Sequence, residues 1–315
     1  MKKRILGAIL AICLIVPALV LSGCGHEHDW EFKYGYDENG SYCKYEVCDE
    51  CQEQKNKTVI VQGVSQTNAT VGGTGITELK YKNSTYDNAF TLGMSFNDMV
   101  NQLNTRSASG HNTSFVQTVI GGVTKPGLPI KGNIKLTQDV NIAYNGNTTL
   151  CLFITEDVTI DLNGFTITQQ CGTDGFSGYA LFIVNNGATL NIIDSSANHN
   201  GAINAVVSAL QINAGGKVNL YDGTVKCGAT MTPTDVTEQY FCVWTIATNG
   251  GTFNQYGGKV ETVATRNVRN GQPYTATDYN YTFASYGEGE FNLYKGEVTG
   301  EFDPSAENQI NDYRD

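Results

Sequence analysis

Charge is what this chain has least of. Only 16% of its 315 residues are charged, and bases are the scarcer sign, 20 against 31 acids. So little charge argues against a coiled coil and against a charge-laced helical enzyme. Three of the bases, Lys2, Lys3 and Arg4, lie in an N-terminal segment expected to be removed. That leaves 17 bases against 31 acids, a formal charge of −14. Such a surface disfavours nucleic acid, which is bound by neutralising phosphates, and adsorption to anionic lipid. Beyond Leu21 no apolar run is long enough to cross a bilayer. There is no Gly-x-Ser-x-Gly elbow, no His-Glu-x-x-His pair and no Walker loop. Gly72-Gly73-Thr74-Gly75 has neither the lysine nor the following helix of a phosphate loop. Against these shortages stand 35 glycines and 17 tyrosines, the stock of a turn-rich β protein long enough to bury a sizeable core.

The N-terminus reads as an export signal. A basic start is followed by an uncharged apolar stretch, Ile5 to Leu21, and then by Leu21-Ser22-Gly23-Cys24. This pattern resembles a bacterial lipobox. The resemblance implies a signal peptide over 1–23, acylation of Cys24, and an extracytoplasmic protein anchored to the membrane by its acyl chains. The thiol of Cys24 would then be a thioether, unable to serve as a metal ligand.

Residues 24–56 form a first module. His26 and His28 precede Trp30, Phe32, Tyr34 and Tyr36, and Asp37-Glu38-Asn39-Gly40 is a strong hairpin turn. The return strand leads into Cys48-Asp49-Glu50-Cys51. A hairpin with histidine at its entry and Cys-x-x-Cys at its exit can bring nitrogen and sulfur donors together tetrahedrally, as zinc requires. So short a segment cannot build an adequate core and needs a staple. It resembles the zinc-ribbon-like His-x-Trp…Cys-x-x-Cys modules of secreted and lipid-anchored bacterial proteins. In those modules a further His or Cys usually precedes the Cys-x-x-Cys. The resemblance implies a structural zinc on His28, Cys43, Cys48 and Cys51, with His26 as alternative ligand. A Cys48–Cys51 or Cys43–Cys51 disulfide remains open.

Residues 57–94 read as a linker with irregular strands. One helix follows. Ser95 N-caps it, Asp98 takes the capping-box position, and Phe96, Met99, Val100 and Leu103 share a face. A polar stretch from Thr105 to Lys131 is expected to be loop.

The rest of the chain repeats itself. Segments beginning at Ile160, Leu190, Val218, Phe253 and Phe291 share an apolar-Asn/Asp start, followed by a second apolar residue in all but Phe253-Asn254-Gln255; they are spaced 30, 28, 35 and 38 residues apart, and a short β run precedes each. One such unit cannot bury its apolar face alone, whereas stacked units bury all of them in one continuous core. Asp161, Asn191, Asn219, Asn254 and Asn292 should then form one column, and Tyr221, Tyr256 and Tyr294 another. The columns read as a stabilising ladder, or else as a glycan-binding stripe.

Together with Val158-Thr159-Ile160-Asp161-Leu162-Asn163-Gly164 and Gly215-Gly216-Lys217-Val218, these repeats resemble the β-helix domains of the pectin-lyase-like superfamily. The resemblance implies an all-β fold: a right-handed parallel β-helix of about five or six rungs over 95–302, with the Ser95 helix as N-terminal cap. Residues 303–315 are left as a polar tail. An all-β sandwich competes, but the recurrence of equivalent positions fits a coil better.

Two insertions, 227–241 and 262–281, occupy equivalent places in consecutive units. They carry Asp235, Glu238, Tyr240, Arg266, Arg269, Tyr274, Asp278 and Tyr279, a mixture of aromatic faces, acids and arginines suited to sugars. Cys151 with Cys171, and Cys227 with Cys242, are candidate disulfides in an oxidising compartment. The preferred function is that of a non-enzymatic, adhesin-like surface protein binding carbohydrate or a cell-surface partner. The competing function is a polysaccharide lyase or glycoside hydrolase, and only that one would call for Ca²⁺.

Overall fold

Short β-prone runs broken by Gly, Asn and Asp turns cannot close a sheet locally, so each pairs with the run one repeat away. In the computed structural model this pairing builds three parallel sheets. The structure describes residues 27–81, 89–109, 116–144, 151–171, 180–205, 208–227, 243–263, 267–269, 272–274 and 280–314.

The first sheet stacks Leu128–Lys131, Leu152–Ile154, Phe182–Val184, Ser208–Asn213, Val243–Asn249, Asn280–Ser285 and Glu301–Phe302. The second stacks Ile134–Lys135, Val158–Asp161, Thr189–Ile193, Lys217–Leu220, Thr252–Gln255, Glu290–Leu293 and Ile310–Asp312. The third stacks Val140–Tyr144, Thr166–Cys171, Ala202–Ala205, Thr224–Cys227, Lys259–Thr262 and Glu297–Thr299. The chain visits the sheets in the order first, second, third, then climbs to the next rung. This is a β-helix-type coil.

The register fixes what is inside. Val158, Leu190, Val218, Phe253, Phe291 and Ile310 are successive partners in one inward column of the second sheet. Ile134, Ile160, Ile192, Leu220, Gln255 and Leu293 make the next. Leu128, Leu152, Phe182, Leu210, Ile246 and Phe283 face them from the first sheet, and Ile167, Ile203, Val225 and Val260 from the third. All of these belong to one core except Gln255 and the half-buried Ile310, which packs against it. Gln255 is fully buried, and its Nε2 donates to the carbonyls of Gly258 (3.3 Å) and Glu297 (3.1 Å), tying its own turn to the turn of the next rung.

Two expectations about columns are corrected. Ile160 is not in line with Leu190, because Val158 is; and Thr159, not Asp161, stands beside Asn191. Asp161 instead precedes Ile193 and pairs with it. From Asn191 onward the amide ladder is as expected. Each side chain donates to the one below, Asn219 to Asn191 (2.9 Å), Asn254 to Asn219 (2.8 Å) and Asn292 to Asn254 (3.0 Å), and Asn311 adds a further step at 2.8 Å. Tyr221, Tyr256 and Tyr294 stack at 5.0 Å, and Tyr313 extends the column at 5.1 Å. Residues expected to be a polar tail thus supply the final strand of the coil, Ile310–Asp312.

The helix α1, Phe96–Ala108, closes the first rung. Ser95 Oγ accepts the Asp98 N–H (3.1 Å) and donates to the Asp98 carboxylate (2.7 Å), while Phe96, Met99 and Leu103 enter the common core. The stretch expected to be loop contains Val116–Ile120 and Val123–Pro126, paired antiparallel across Gly121-Gly122. Both glycines have positive φ (57° and 81°), the signature of a tight hairpin turn that the composition concealed. No helix among the described residues is long and apolar enough to cross a membrane.

Three antiparallel strands make up the N-terminal module: β1 (Trp30–Tyr36), β2 (Tyr42–Cys48) and β3 (Gln54–Val61). The module therefore runs to Val61 rather than residue 56. Asp37 fixes its turn by accepting the N–H groups of Asn39 and Ser41, both at 2.9 Å.

Candidate functional site

Two groupings of chemically able side chains lie at opposite ends of the β1–β2 hairpin. Trp30 pairs with Cys48 at one end, and Tyr36 with Tyr42 at the other.

At the open end, donor atoms of His28, Cys48 and Cys51 all lie within 4.8 Å of one another. The chain turns tightly after Cys48. Gln52 N–H donates to the Cys48 carbonyl (2.8 Å), Cys48 N–H to the Glu53 carbonyl (3.0 Å), and Gln52 takes a φ of 59°. This brings Cys51 Sγ to 3.5 Å from His28 Nδ1. The His28 ring stacks on Trp30 at 5.0 Å, and its Nε2 lies 3.8 Å from a Glu53 carboxylate oxygen. One nitrogen and two sulfurs, with a carboxylate behind the imidazole, form a donor set that could hold a metal ion of zinc's preferences.

Cys43 is not part of it, which corrects the expected ligand set. It lies five residues before Cys48 on the same strand, so it points to the other face and stands about 17 Å along β2. Its buried thiol donates to the Ser41 carbonyl (3.3 Å) beside an Asp37 oxygen (3.8 Å). Burial, then the Asp37 charge, pushes that thiol's pKa up. His26 and Cys24 lie outside the described residues.

At the closed end the module docks on the coil. Asp194 N–H donates to Tyr36 Oη (2.9 Å), and Tyr42, Val61, Ile193 and Tyr221 form a separate apolar cluster. Docking leaves a cleft of 450 Å³ between the hairpin, the turn at 195–199 and the outer edge of the second sheet. Tyr34 and Tyr36 form one wall, Tyr221, Tyr256 and Gly257-Gly258 the floor, Asp222 and Lys295 supply the charge, and the His199 imidazole lies beside Asp222.

Asp222 is mostly buried. Its Oδ2 is 2.7 Å from His199 Nδ1, and its Oδ1 accepts the Gly223 N–H at 2.8 Å. Burial raises its pKa, partly offset by Gly223 and His199. The phenols are further from ionising. Burial pushes Tyr221 up to about 12, and lifts Tyr36 and Tyr42 well above the usual range, with Asp222 contributing to both. These hydroxyls are hydrogen-bonding groups rather than bases.

Two other acids near the cleft are spent on structure. Asp161 accepts Lys135 Nζ (3.0 Å), Ser195 Oγ (2.7 Å) and the Asn163 and Ser195 N–H groups (both 3.0 Å). Asp194 accepts the N–H groups of Gly164, Gly201 and Ser196. Both side chains are fully buried.

The cleft is not built from the two insertions. Both insertions leave the third sheet for the first, whereas the cleft lies where the second sheet turns into the third. Asp235, Glu238, Tyr240, Arg266, Asp278 and Tyr279 lie outside the described residues. Arg269 and Tyr274 fall in an antiparallel pair of strands, Asn267–Arg269 and Gln272–Tyr274, opposite Gln272 and Asn267 respectively. Of the candidate disulfides, Cys151 and Cys227 are buried at strand ends, and burial alone pushes the Cys151 thiol up to about 12. Cys242 and the side chain of Cys171 lie outside the described residues.

Sequence reasoning found the tyrosine column but missed His199, Asp222 and Lys295 as neighbours of the hairpin. The available signal was the alignment of three turns, Asp222-Gly223, Gly257-Gly258 and Lys295-Gly296, immediately after the tyrosines. Compared with protein-family models, curated proteins and solved structures, the chain matches none.

Proposed function

We propose that this chain is a lipid-anchored, extracytoplasmic surface protein that binds carbohydrate, or a cell-surface partner carrying it, without turning it over. In this reading residues 1–23 are a signal peptide, Cys24 carries the acyl chains that hold the protein at the bacterial membrane, and the coil is a right-handed parallel β-helix of the pectin-lyase type. His28, Cys48 and Cys51 hold a structural zinc that staples the open end of the hairpin. Nucleic acid is not a partner, given the acidic balance.

The observation that carries the reading is the cleft: rigid tyrosines, hydroxyls and a paired Asp222–His199 set between two docked elements. Glycoside hydrolysis commonly needs two carboxyl groups across the bond, and Asp222 is the only carboxylate among the described lining residues. One carboxylate is also too few oxygens for a Ca²⁺ cage. Binding is therefore preferred over lyase or hydrolase chemistry.

A panel of neutral and acidic glycans, screened for both retention and product release, tests this. Retention without release is expected. Release that is lost in Asp222→Asn would replace the binding reading with an enzymatic one. Metal analysis of the purified protein should find one zinc per chain, and a metal-free, folded hairpin would remove the staple.

A further inference from the structure

The chemistry of the cleft goes further than carbohydrate in general. Each of its tyrosines has at least one ring face covered by a neighbouring ring. Tyr34 stacks with Tyr42 (6.3 Å), Tyr36 with His199 (5.9 Å), and Tyr221, Tyr256 and Tyr294 with one another at 5.0 Å, with interplanar angles of 14° and 3°. Rings stacked in this way leave chiefly their edges to the cleft, and Tyr36 Oη is already engaged by the Asp194 N–H. The lining therefore selects by hydrogen bonding, which favours a hydroxyl-rich ligand over an apolar one.

Its charges are not balanced alike. Asp222 is answered within the protein, by His199 and by the Gly223 N–H. Lys295 is not: among the described residues no carboxylate stands within ion-pair distance of its Nζ. The charge still open to a ligand is thus positive, in a chain that is otherwise strongly acidic.

The coil also sets a spacing. The Tyr256 N–H donates to Leu220 O, and the Tyr294 and Lys295 N–H groups to Gln255 O, so Asp222, Gly257 and Lys295 fall on three consecutive rungs. Two rungs span about 10 Å. The middle position is a glycine, and a Cβ there would sit 2.2 Å from the Tyr221 carbonyl oxygen, so no side chain fills the gap. What results is a notch one rung wide, with a carboxylate–imidazole pair on one side and a lysine on the other.

We infer that this notch binds a sugar anion: one ring bearing a carboxylate or phosphate, its acidic group on Lys295 and its ring hydroxyls on Asp222 and His199. The inference rests on the carbohydrate reading above and narrows it to a charge class.

The test uses the full chain purified in detergent and titrated by calorimetry with glucuronate, glucose 6-phosphate, glucose, acetate and inorganic phosphate. Both sugar anions should bind about tenfold more tightly than glucose, as an added charge-assisted hydrogen bond would provide. Lys295→Gln should abolish that advantage and leave glucose binding in place. Lys217→Gln, at an exposed lysine away from the cleft, should change nothing. Since Lys295 is exposed, thermal unfolding should be the same in all three proteins. An unchanged preference in Lys295→Gln would overturn the inference, as would acetate or phosphate matching the sugar anions. If neutral sugars bind and charge brings no advantage, the inference falls and the carbohydrate reading stands. If no sugar of any kind binds, both fall.

Discussion

The coil and the hairpin module solve the same problem in opposite ways. Each rung of the coil is too small to bury its own apolar face, and its neighbours do so for it; one core runs from Leu103 in α1 to Phe291 in the penultimate rung. The hairpin has no such neighbours over most of its length. Phe32 and Tyr34 remain exposed (61% and 45%), covered in part by Lys44, whose Nζ lies 3.7 Å above the Phe32 ring. Order in the module comes from the docked tyrosines at one end and, on the zinc reading proposed above, from the His28/Cys48/Cys51 group at the other. Repetition makes stability collective in one region, while in the other it rests on a few identifiable contacts.

The sharpest way to break the comparison is to hollow the coil. Phe253→Ala removes a fully buried ring that packs against Phe283 at 5.7 Å. It should destabilise the protein by about 3–5 kcal/mol, read by urea unfolding. Because the cleft is half coil, sugar binding should fail with it. An effect confined to one rung would contradict a collective core. The converse experiment is Cys48→Ala, or chelation of the native protein. Hydrogen exchange in β1 and β2 should rise by about tenfold or more, while the sheet amides of the coil stay protected. Equal loss in both regions would mean that the module and the coil are one cooperative unit.

Smaller effects probe the contacts one at a time. Asn254→Ala deletes the bond to Asn219 and the one received from Asn292. It should cost about 1–2 kcal/mol, measured by thermal unfolding. Smallest is the acid sensitivity of the hairpin turn. The Ser41 N–H, then the Asn39 N–H and Lys57, hold Asp37 below the ordinary carboxylate range. Its folded-state pKa is depressed, so its contribution is whole above the unfolded value of about 3.9 and fades as pH falls through the lower folded value. Amide exchange at Asn39 and Ser41 should therefore quicken only at such acid pH, and Asp37→Asn should remove the dependence.

How much of this was legible beforehand follows from what repeats. The amide column from Asn191 to Asn292 and the tyrosine column could be read because period and alternation both marked them. The misplacement of Asp161 and Ile160 has a simple cause. A strand shifted by one residue turns its apolar face outward, but a shift of two leaves the face unchanged. Hydrophobic pattern alone cannot detect that error; the hydrogen bond from Leu162 N–H to Ile193 O does. Cys43 fits the ligand set only if the chain bends between it and Cys48; on one unbroken strand, the odd spacing of five puts the two on opposite faces. The cleft was out of reach for a different reason. It joins Tyr36 to Asp194, 158 positions apart, and nothing local to either residue announces the meeting.

Gln255 has a consequence for how the chain winds. Every other described position of its column is aliphatic except the terminal Asp312. Near-equivalent turns invite the polypeptide to mispair with a neighbour once removed. A lone amide whose Nε2 is held between the carbonyls of Gly258 and Glu297 makes such a slip expensive, because another storey would leave that donor in hydrocarbon as well. It acts as a keyed tooth in an otherwise uniform thread, and Gln255→Leu should yield a tighter core with a less certain count of turns.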